Sequence, residues 1–273
     1  MQQFRKYLPH VLGLGLLAIQ VFIPSFSEGL PASIPCQGKN CYRPNLSTPW
    51  NYVLSATPNF GVKAELFDID LFENTAAVVA KAHANNKKVV CYMSAGSSEN
   101  WRPDFKNFPK ALLGKNMDGW AGEKWLDVRN ITALAPIMTA RLDQCKAKGF
   151  DAVEFDNVDG YSNASGFPLT ENDQLKYNIF LANEAHRRGL AVGLKNDLDQ
   201  VSILSQYFDF AMNEQCFQYG ECSALTAFTS KGKPVFNVEY SGNVLTLAKK
   251  AKALNFNTIK KKLNLDNTYE VAN

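Results

Sequence analysis

The chain contains only three histidines among its 273 residues, and this scarcity excludes several kinds of active site. His83 and His186 fall in segments predicted to be helical, and Ser94 has no adjacent histidine, so a serine–histidine catalytic triad is not expected. No pair of cysteines has the close spacing of a zinc knuckle, and no segment has the ligand spacing of an EF-hand. We therefore expect a function that needs no metal ion and no cofactor.

Basic patches and phosphate-binding loops are also lacking. The run Lys260-Lys261-Lys262 is the one basic block in a chain of net charge +3, and we interpret it as a solvated surface. Ser55-Ala56-Thr57-Pro58 follows the first predicted strand, where a dinucleotide-binding fold usually carries a glycine-rich loop. Neither nucleic acid nor a nucleotide cofactor is expected as a partner.

Long apolar runs are absent except near the amino terminus. Val11 to Ile23 is apolar but short for a bilayer span, and the basic residues Arg5 and Lys6 precede it. Small residues in Ser25-Phe26-Ser27 then suit a signal peptidase. We predict that residues 1–27 are a signal peptide and that the protein is secreted, without stable membrane association after cleavage. A retained amino-terminal anchor is the alternative.

Six cysteines in a chain that looks secreted predict disulfide bonds. Cys36 and Cys41 bracket one short loop, and Cys216 and Cys222 bracket another, which leaves Cys91 to pair with Cys145. Six cysteines allow many other pairings, so this connectivity is a preference. In this pairing, the disulfide bond between Cys216 and Cys222 would hold the loop that carries Glu214 in place.

Two segments follow the predicted signal peptide. Residues 28–49 are rich in proline, serine, glycine and asparagine and are interpreted as an amino-terminal arm, whereas residues 50–273 form a single domain with a regular alternation of strands and helices. Apolar β-branched runs predict strands over Trp50–Ser55, Ala64–Ile69, Lys88–Met93, Trp125–Val128, Asp151–Phe155, Leu190–Leu194, Phe208–Met212 and Pro234–Val238. Helical patterns cover Thr75–Asn86 (with Asn74 as its cap), Ala133–Lys148, Glu171–Arg188, Leu198–Tyr207, Glu221–Ser230 and Val244–Leu254.

About eight short apolar strands, mostly separated by helices, are typical of an α/β protein with a (β/α)8 TIM-type barrel. The alternative is a doubly wound open sheet, which the missing phosphate loop disfavours.

Acidic residues stand at the carboxyl ends of these strands. In the fifth predicted strand Val153 and Phe155 point to one face, and Glu154 and Asp156 point to the other. Because the carboxyl ends of all barrel strands meet on one rim, such acids should line a common cleft. The predicted cleft contains Asp68, Asp70, Asp127, Asp156, Glu214 and Glu239, with Lys195 among them.

Such a rim suits hydrolysis of a glycosidic bond, in which one carboxyl is protonated and the other ionised. Catalysis by Mg²⁺ or Ca²⁺ held by carboxylates is the competing interpretation. Lys195 is expected to stay protonated in an ion pair with Asp156 or a neighbour rather than form a Schiff base. An acidic rim attracts cationic or hydroxyl-rich ligands and repels polyanions, so an amino-sugar polysaccharide is the favoured partner.

Ordered blocks of residues from Trp50 to Tyr240 also resemble a known family, glycoside hydrolase family 114, the endo-α-1,4-polygalactosaminidase-like proteins. The blocks include Asp68-Ile69-Asp70, Cys91-Tyr92 through Gly96, Trp125-Leu126-Asp127, Asp156 through Tyr161, Lys195-Asn196, Asn213 through Cys216 and Val238-Glu239-Tyr240. One departure is Phe155, which stands where many relatives have proline.

The resemblance implies a (β/α)8 barrel that cleaves α-1,4-linked galactosamine polymers internally, with retention of configuration. Its two catalytic acids fall on Asp156, expected to be the nucleophile, and Glu214, expected to be the acid/base, although the roles could be exchanged. Retention requires the carboxyls to lie about 5–5.5 Å apart. The residues expected to bind substrate or tune this pair are Asp68, Asp70, Tyr92, Asp127, Asp159, Lys195, Asn196, Glu239 and Tyr240. A secreted carbohydrate-binding barrel without turnover, or a glycosidase for another α-glycan, remains the alternative.

Overall fold

A computed structural model describes residues 29–38 and 41–273 of the chain. The predicted signal peptide lies outside the described residues. Twelve strands are present in the described part of the chain: β1 (Trp50–Val53), β2 (Leu66–Asp70), β3 (Lys88–Ser94), β4 (Ser97–Glu99), β5 (Leu113–Asn116), β6 (Glu123–Leu126), β7 (Ala152–Asp156), β8 (Ala191–Lys195), β9 (Phe210–Glu214), β10 (Val235–Glu239), β11 (Asn257–Lys260) and β12 (Glu270–Val271).

Eight strands form the body of one curled sheet in the order β1-β2-β3-β7-β8-β9-β10-β11, and every neighbouring pair among them is parallel. The short strand β12 adds antiparallel to β11. Because the spatial order follows the order in the chain, the sheet has no switch point of the doubly wound kind. The predicted α/β barrel class is confirmed.

The barrel closes between its first and eighth strands through side chains. The indole Nε1 of Trp50 in β1 donates a hydrogen bond of 2.8 Å to the carbonyl oxygen of Asn257 in β11. Just beyond β11, the Lys261 ammonium donates to Oδ1 of Asn51 at 2.8 Å. Trp50 and Ile259 also belong to one apolar cluster, which fills the inside of the barrel. The curled sheet therefore has a sealed seam rather than two open edges.

Strand residues alternate between the inside of the barrel and the layer beneath the helices. In β7, Ala152 belongs to the inner apolar cluster, whereas Val153 and Phe155 belong to the larger outer one. In β9, Phe210 and Met212 are inner residues. Because side chains along a strand alternate with a period of two, Glu154, Asp156 and Glu214 share the inner face.

Helices cover the outside of the barrel between successive strands. They are α1 (Ala76–Ala84), α2 (Ile131–Lys148), α3 (Glu171–Arg187), α4 (Val201–Leu204), α5 (Cys216–Tyr219), α6 (Thr226–Thr229) and α7 (Val244–Leu254), with short 3₁₀ turns around several of them. None of the helices in the described residues is both long and apolar enough to cross a membrane.

The ends of the long helices follow local sequence signals. Thr170 begins α3 with a capping box, in which its side chain and that of Asp173 each accept from the other's backbone N–H group. Gly149 ends α2 in the left-handed conformation, as the sequence predicts. The predicted cap of α1 is wrong by one residue: Thr75 occupies that position, and Asn74 instead donates its side-chain amide to the carbonyl oxygen of Asp70.

One predicted barrel strand belongs to another sheet, and one barrel strand was not predicted. Trp125 and Leu126, from the segment predicted as Trp125–Val128, lie in β6, which belongs to a separate antiparallel sheet of order β4-β6-β5, inserted between β3 and α2. The eighth barrel strand is β11 (Asn257–Lys260), which the sequence predictions missed. An apolar run identifies a strand but not the sheet that it joins, and the polar residues of β11 hide it.

All six cysteines pair as the sequence predicts, in the bonds Cys36–Cys41, Cys91–Cys145 and Cys216–Cys222. The amino-terminal arm packs against α3. The backbone N–H of Ile34 donates to Oδ1 of Asn183 at 2.8 Å, and the Ile34 carbonyl lies 2.6 Å from Nδ1 of His186. The arm is thus tied to the outside of the barrel.

Candidate active site

A cavity of about 1120 Å³ opens at the carboxyl ends of the barrel strands. One of its walls contains Asp156, Lys195 and Glu214, from the ends of β7, β8 and β9. The facing wall comes from the inserted sheet and includes Trp101 and Trp120. The strand ends therefore bring both predicted catalytic acids to one cleft.

Asp156 is held by donors on both of its carboxylate oxygens. Oδ1 accepts from the Lys195 ammonium at 3.1 Å and from the backbone N–H of Asn157 at 2.9 Å. Oδ2 accepts from the Tyr92 hydroxyl at 2.7 Å. Burial raises the pKa of Asp156, but the Lys195 charge and these hydrogen bonds outweigh burial and bring the pKa below its ordinary value. Asp156 is therefore an ionised carboxylate at neutral pH.

Lys195 is the central cation of the site. Its buried ammonium lies 3.1 Å from Oε1 of Glu154, 3.1 Å from Oδ1 of Asp156 and 4.0 Å from Oε1 of Glu214. Burial lowers the pKa of Lys195, but the charges of Asp156, Glu154 and Glu214 raise it well above its ordinary value. The predicted ion pair of Lys195 is confirmed, and a Schiff-base role is disfavoured because the amine stays charged.

Glu214 faces the cleft from β9. Its Oε1 accepts a hydrogen bond of 2.5 Å from the Tyr240 hydroxyl, and its backbone N–H donates to Oδ1 of Asn196 at 3.0 Å. Both Glu214 and Asp156 lie within 4.0 Å of one ammonium nitrogen, so the two nearest carboxylate oxygens are separated by less than twice that distance. A carboxylate pair at this range can flank a single glycosidic bond.

The backbone turns sharply directly after each of these three side chains. Asn157, Asn196 and Gln215 have φ angles of 63°, 48° and 64°, in the left-handed region. Asparagine tolerates this region better than most residues, whereas glutamine adopts it at a cost of about 1 kcal/mol or more. The same left-handed turn thus follows three neighbouring strands. It lets the side chains of Asp156, Lys195 and Glu214 point into one space before the chain leaves the barrel.

Gly96 allows the turn after β7 to pack closely. A Cβ atom at this glycine would lie 1.6 Å from the carbonyl oxygen of Asn157, so any side chain here would displace that segment. The Asn157 amide group donates to Oε1 of Glu123 at 3.1 Å. Burial raises the pKa of Glu123 to about 7, with Asp156 adding to the shift and the Ser97 hydroxyl opposing it.

Two further predicted residues line the cavity. Burial and the neighbouring charge of Asp156 together raise the pKa of Asp159 to about 6. Asp70 is buried and accepts from Arg102 Nη1 at 3.0 Å and from Nη2 at 2.5 Å. Asp70 also accepts from the backbone N–H groups of Phe72 and Glu73. Protein donors therefore occupy the carboxylate oxygens of Asp70.

Three predicted cleft residues lie elsewhere. Asp68 is fully buried inside the barrel, two residues before the rim residue Asp70. Asp127 follows the inserted sheet and is held by Arg129, whose hydrogen bonds lower its pKa. Glu239 has the outer parity of β10, and its Oε1 accepts from the backbone N–H of Phe217 in α5 at 2.8 Å. The prediction of a single cleft is wrong for these three acids.

The sequence predictions also missed residues that contact the site. Tyr52 in β1 accepts from the Lys195 ammonium at 3.2 Å, and Glu154 contacts the same ammonium. Glu123 reaches the site through Asn157. Tyr52 and Glu154 occupy positions in β1 and β7 whose side chains point into the barrel, and this alternation could have identified them. Glu123 comes from the inserted sheet, whose position cannot be predicted from the strand ends.

Two exposed tryptophans lie on the wall that the inserted sheet contributes. Trp101 and Trp120 are 49% and 57% exposed, although both line the cavity. Their position follows from the antiparallel register, which pairs Glu99 with Glu123: Trp101 follows β4 and Trp120 precedes β6, so both lie at the same end of the sheet. No group of three or more histidine, cysteine, aspartate or glutamate residues in the described ranges could hold a metal ion.

The chain is similar to solved structures of two proteins, one fungal and one bacterial. A crystal structure of Aspergillus fumigatus Ega3 in complex with galactosamine is 39% identical, with a TM-score of 0.79, over 89% of this chain and 99% of that one. The glycoside hydrolase domain of PelA from Pseudomonas aeruginosa, at 13% identity and a TM-score of 0.64, covers 82% of this chain and 98% of that domain and supports the fold. A search of curated proteins found no match.

The sequence model of glycoside hydrolase family GH114 matches residues 32–273. That range contains the whole barrel, the inserted sheet and most of the arm. Phe155, the one noted departure from the family pattern, points away from the cleft into the outer apolar cluster and leaves Asp156 in place. The chain belongs to glycoside hydrolase family GH114 and is a glycoside hydrolase.

Proposed function

We propose that this protein is a secreted endo-acting hydrolase of α-1,4-linked galactosamine polysaccharide and that it retains anomeric configuration. The observation that carries the proposal is the pair Asp156 and Glu214, which share the Lys195 ammonium at the open cavity. Similarity to Ega3, whose crystal structure contains galactosamine, supports an amino-sugar substrate. The acidic lining of the cleft suits a cationic polymer, since like charges would repel a polyanion.

The environments of the two carboxyls suggest their roles. Asp156 receives a cation and two further donors, so it stays ionised and acts as the nucleophile on the anomeric carbon. Glu214 receives one hydroxyl donor, from Tyr240, among the described residues and faces the open cleft. It protonates the departing glycosidic oxygen and then takes a proton from the water that releases the sugar from Asp156.

The surrounding residues position this pair or bind sugar. Lys195 neutralises Asp156, and the Tyr92 hydroxyl orients it. Oδ1 of Asn196 accepts from the backbone N–H of Glu214 and so fixes the position of that residue. Asp159 lines the cleft and ionises near neutral pH, where it can attract a protonated amino group. Asp70 acts indirectly, because its pairing with Arg102 fixes the loop that carries Trp101.

The size of the cleft favours internal cleavage. A cavity of about 1120 Å³ holds several sugar units, and its walls extend from the strand ends to the exposed rings of Trp101 and Trp120. Aromatic faces bind the apolar faces of sugar rings and are attracted to ammonium groups. A chain bound across both walls would place an internal linkage between Asp156 and Glu214.

Secretion rests on the predicted signal peptide over residues 1–27 and on three disulfide bonds, which persist in oxidising compartments. Expression of the full chain in a eukaryotic host, followed by amino-terminal sequencing of the protein in the medium, tests this part. We expect a chain that begins at Glu28; retention of the whole chain in the membrane fraction would indicate the amino-terminal anchor instead.

The test of the activity is incubation of the purified protein with partly deacetylated α-1,4-galactosaminogalactan, with products identified by mass. We expect short oligosaccharides from internal cleavage, and about 10³-fold or greater loss of activity in D156N and in E214Q. D127N is the matched control, since Asp127 lies outside the cleft. Full activity of D156N or E214Q would contradict the assignment, and binding without release of reducing ends would indicate a carbohydrate-binding barrel.

A further inference from the structure

A fully buried acid, Asp68, lies beneath the active site. No donor in the described part of the chain reaches either carboxylate oxygen of Asp68, which is 0% exposed. Oε2 of Glu154, also 0% exposed, lacks a donor in the same way. An ionised carboxylate without donors is unfavourable inside a protein, so these orphaned oxygens require an explanation.

The two acids are each other's neighbours inside the barrel. Asp68 is on β2 and Glu154 is on β7, the strands on either side of β3, and both have inner parity. In a barrel, inward side chains from alternate strands meet in one layer. Two carboxyl groups that face each other can satisfy their oxygens if one of them carries a proton and donates it to the other.

The partners of Glu154 indicate which group holds that proton. Its other oxygen, Oε1, lies 3.1 Å from the Lys195 ammonium and 3.5 Å from the Tyr52 hydroxyl. These contacts stabilise Glu154 as a carboxylate, whereas no cation among the residues that the structure describes contacts Asp68. We propose that Asp68 is a protonated carboxylic acid that donates to Oε2 of Glu154, and that this hydrogen bond is a positioning device for Lys195 and hence for Asp156.

Electrostatics support the same distribution of charge. Burial raises the pKa of Asp68 well above its ordinary value, and the charge of Glu154 raises it further, while Lys195 partly opposes both effects. With Asp68 neutral, the Lys195 ammonium contacts two carboxylates, those of Glu154 and Asp156, each at 3.1 Å. The hydrogen bond from Asp68 to Oε2 of Glu154 keeps Glu154 in place, so that Glu154 and Asp156 share the Lys195 ammonium.

The link to catalysis rests on the proposed role of Asp156, but the protonation state can be measured without any substrate. Infrared difference spectra of the full chain at neutral pH, wild type minus D68N, should show the C=O stretch of a protonated carboxylic acid. Wild type minus D127N is the matched control and should show no such band, because the hydrogen bonds from Arg129 keep Asp127 ionised. Absence of the acid band in the D68N difference spectrum would overturn the proposal.

Kinetics then test the positioning role. The amide of D68N can still donate to Glu154, so kcat/KM should stay within about 3-fold of wild type with an unchanged pH profile. D68L cannot donate; Glu154 then competes more strongly for Lys195, and we expect kcat to fall about 10-fold or more and the acidic limb to move to higher pH. A folded D68N that is as impaired as D68L would contradict the mechanism.

These outcomes separate the two proposals. If D68L does not fold, the infrared band and the activity of D68N still decide whether Asp68 acts as a hydrogen-bond donor. If the wild-type protein cleaves no galactosamine polymer, the proposed function fails, whereas the infrared result continues to test the charge state of Asp68.

Discussion

The two walls of the cleft are built in different ways. On the barrel wall, Asp156, Lys195 and Glu214 come from three adjacent parallel strands, and the Lys195 ammonium lies within 4.0 Å of both carboxylates. On the wall of the inserted sheet, Trp101 and Trp120 are about half exposed and project from the ends of an antiparallel sheet. The barrel therefore fixes the charges with little freedom, while the inserted sheet supplies contact area.

This difference suggests a division of roles. Charge pairs in buried sites depend strongly on distance, so a small displacement on the barrel wall should have a large effect. Contacts between sugar rings and exposed aromatic faces tolerate small movements and contribute less each. Substitutions on the barrel wall should therefore affect kcat most, and those on the sheet wall should affect the use of long substrates.

The largest effect is expected from removal of the central cation. In K195M, Glu154 and Asp156 become neighbouring buried carboxyls without their shared ammonium, so the pKa of Asp156 rises and its nucleophilicity is lost. We expect kcat/KM to fall about 10³-fold or more and the free energy of unfolding to fall by about 3–5 kcal/mol. Steady-state kinetics and urea unfolding measure the two effects.

The control for that change is a lysine on the opposite wall. Lys115 in β5 also lines the cleft but is exposed, so K115M should change kcat/KM by less than about 3-fold. Similar losses in K195M and K115M would remove the distinction between the two walls.

A smaller loss should follow from G96A, which changes no charged group. The added Cβ would overlap the carbonyl oxygen of Asn157 and push the turn that carries the N–H donor to Asp156. Misplacement of a reacting group by about 1 Å can cost 10²-fold in rate, so we expect kcat to fall by about that factor with a smaller change in KM. G61A is the control, since its Cβ would meet only the Asn59 side chain; unchanged kcat in G96A would contradict the close packing.

The sheet wall is tested by the double variant W101A/W120A. Each aromatic contact contributes about 0.5–1.5 kcal/mol, so kcat/KM on the polymer should fall about 10-fold, while the shortest cleavable oligosaccharide should be cleaved as by wild type. Y219A replaces an exposed aromatic residue outside the cavity and should change neither. Equal losses on long and short substrates would show that the sheet wall acts on the reacting sugar itself.

The smallest expected effect is a pH dependence of KM, to which one acid on each wall contributes. Burial gives Asp159 a pKa of about 6 and Glu123 a pKa of about 7, so both are neutral in acid and become charged as pH rises. KM for an oligosaccharide whose amino groups are N-trimethylated, and so stay cationic at every pH, should therefore fall about 3-fold between about pH 5 and pH 8, and this dependence should flatten in D159N/E123Q. A fully N-acetylated oligosaccharide, which is neutral, should bind equally well throughout; the same pH dependence with it would exclude an electrostatic cause.

The sequence predicted the barrel and both rim carboxylates because period-two alternation and the ends of parallel strands are local features. Asp156 and Glu214 end strands with inner parity, and the structure brings them together as expected. Glu239 also ends a strand, but its parity is outer, and the same alternation could have excluded it. Asp68 has the right parity but lies two residues, about 7 Å, deeper in the barrel than the rim.

Other features depended on contacts that no local pattern reveals. The segment around Trp125 has the composition of a barrel strand, yet it pairs antiparallel with β4 in the inserted sheet, in a register that places Glu99 opposite Glu123. Strand β11 is polar and was missed, although it closes the barrel. The position of Glu123 behind Asn157 follows from this three-dimensional pairing alone.

The most direct test of the account is to trap the sugar on the enzyme. An activated 5-fluoro derivative of the amino sugar, which keeps the amino group at C2, is incubated with the protein and followed by peptide mass spectrometry; it should leave one sugar unit bound to the peptide that contains Asp156. The glycosyl-enzyme forms in a retaining hydrolase because the ionised carboxylate attacks the anomeric carbon. A label on the Glu214 peptide, or an unlabelled enzyme that releases product of inverted configuration, would contradict the assignment of Asp156 as the nucleophile.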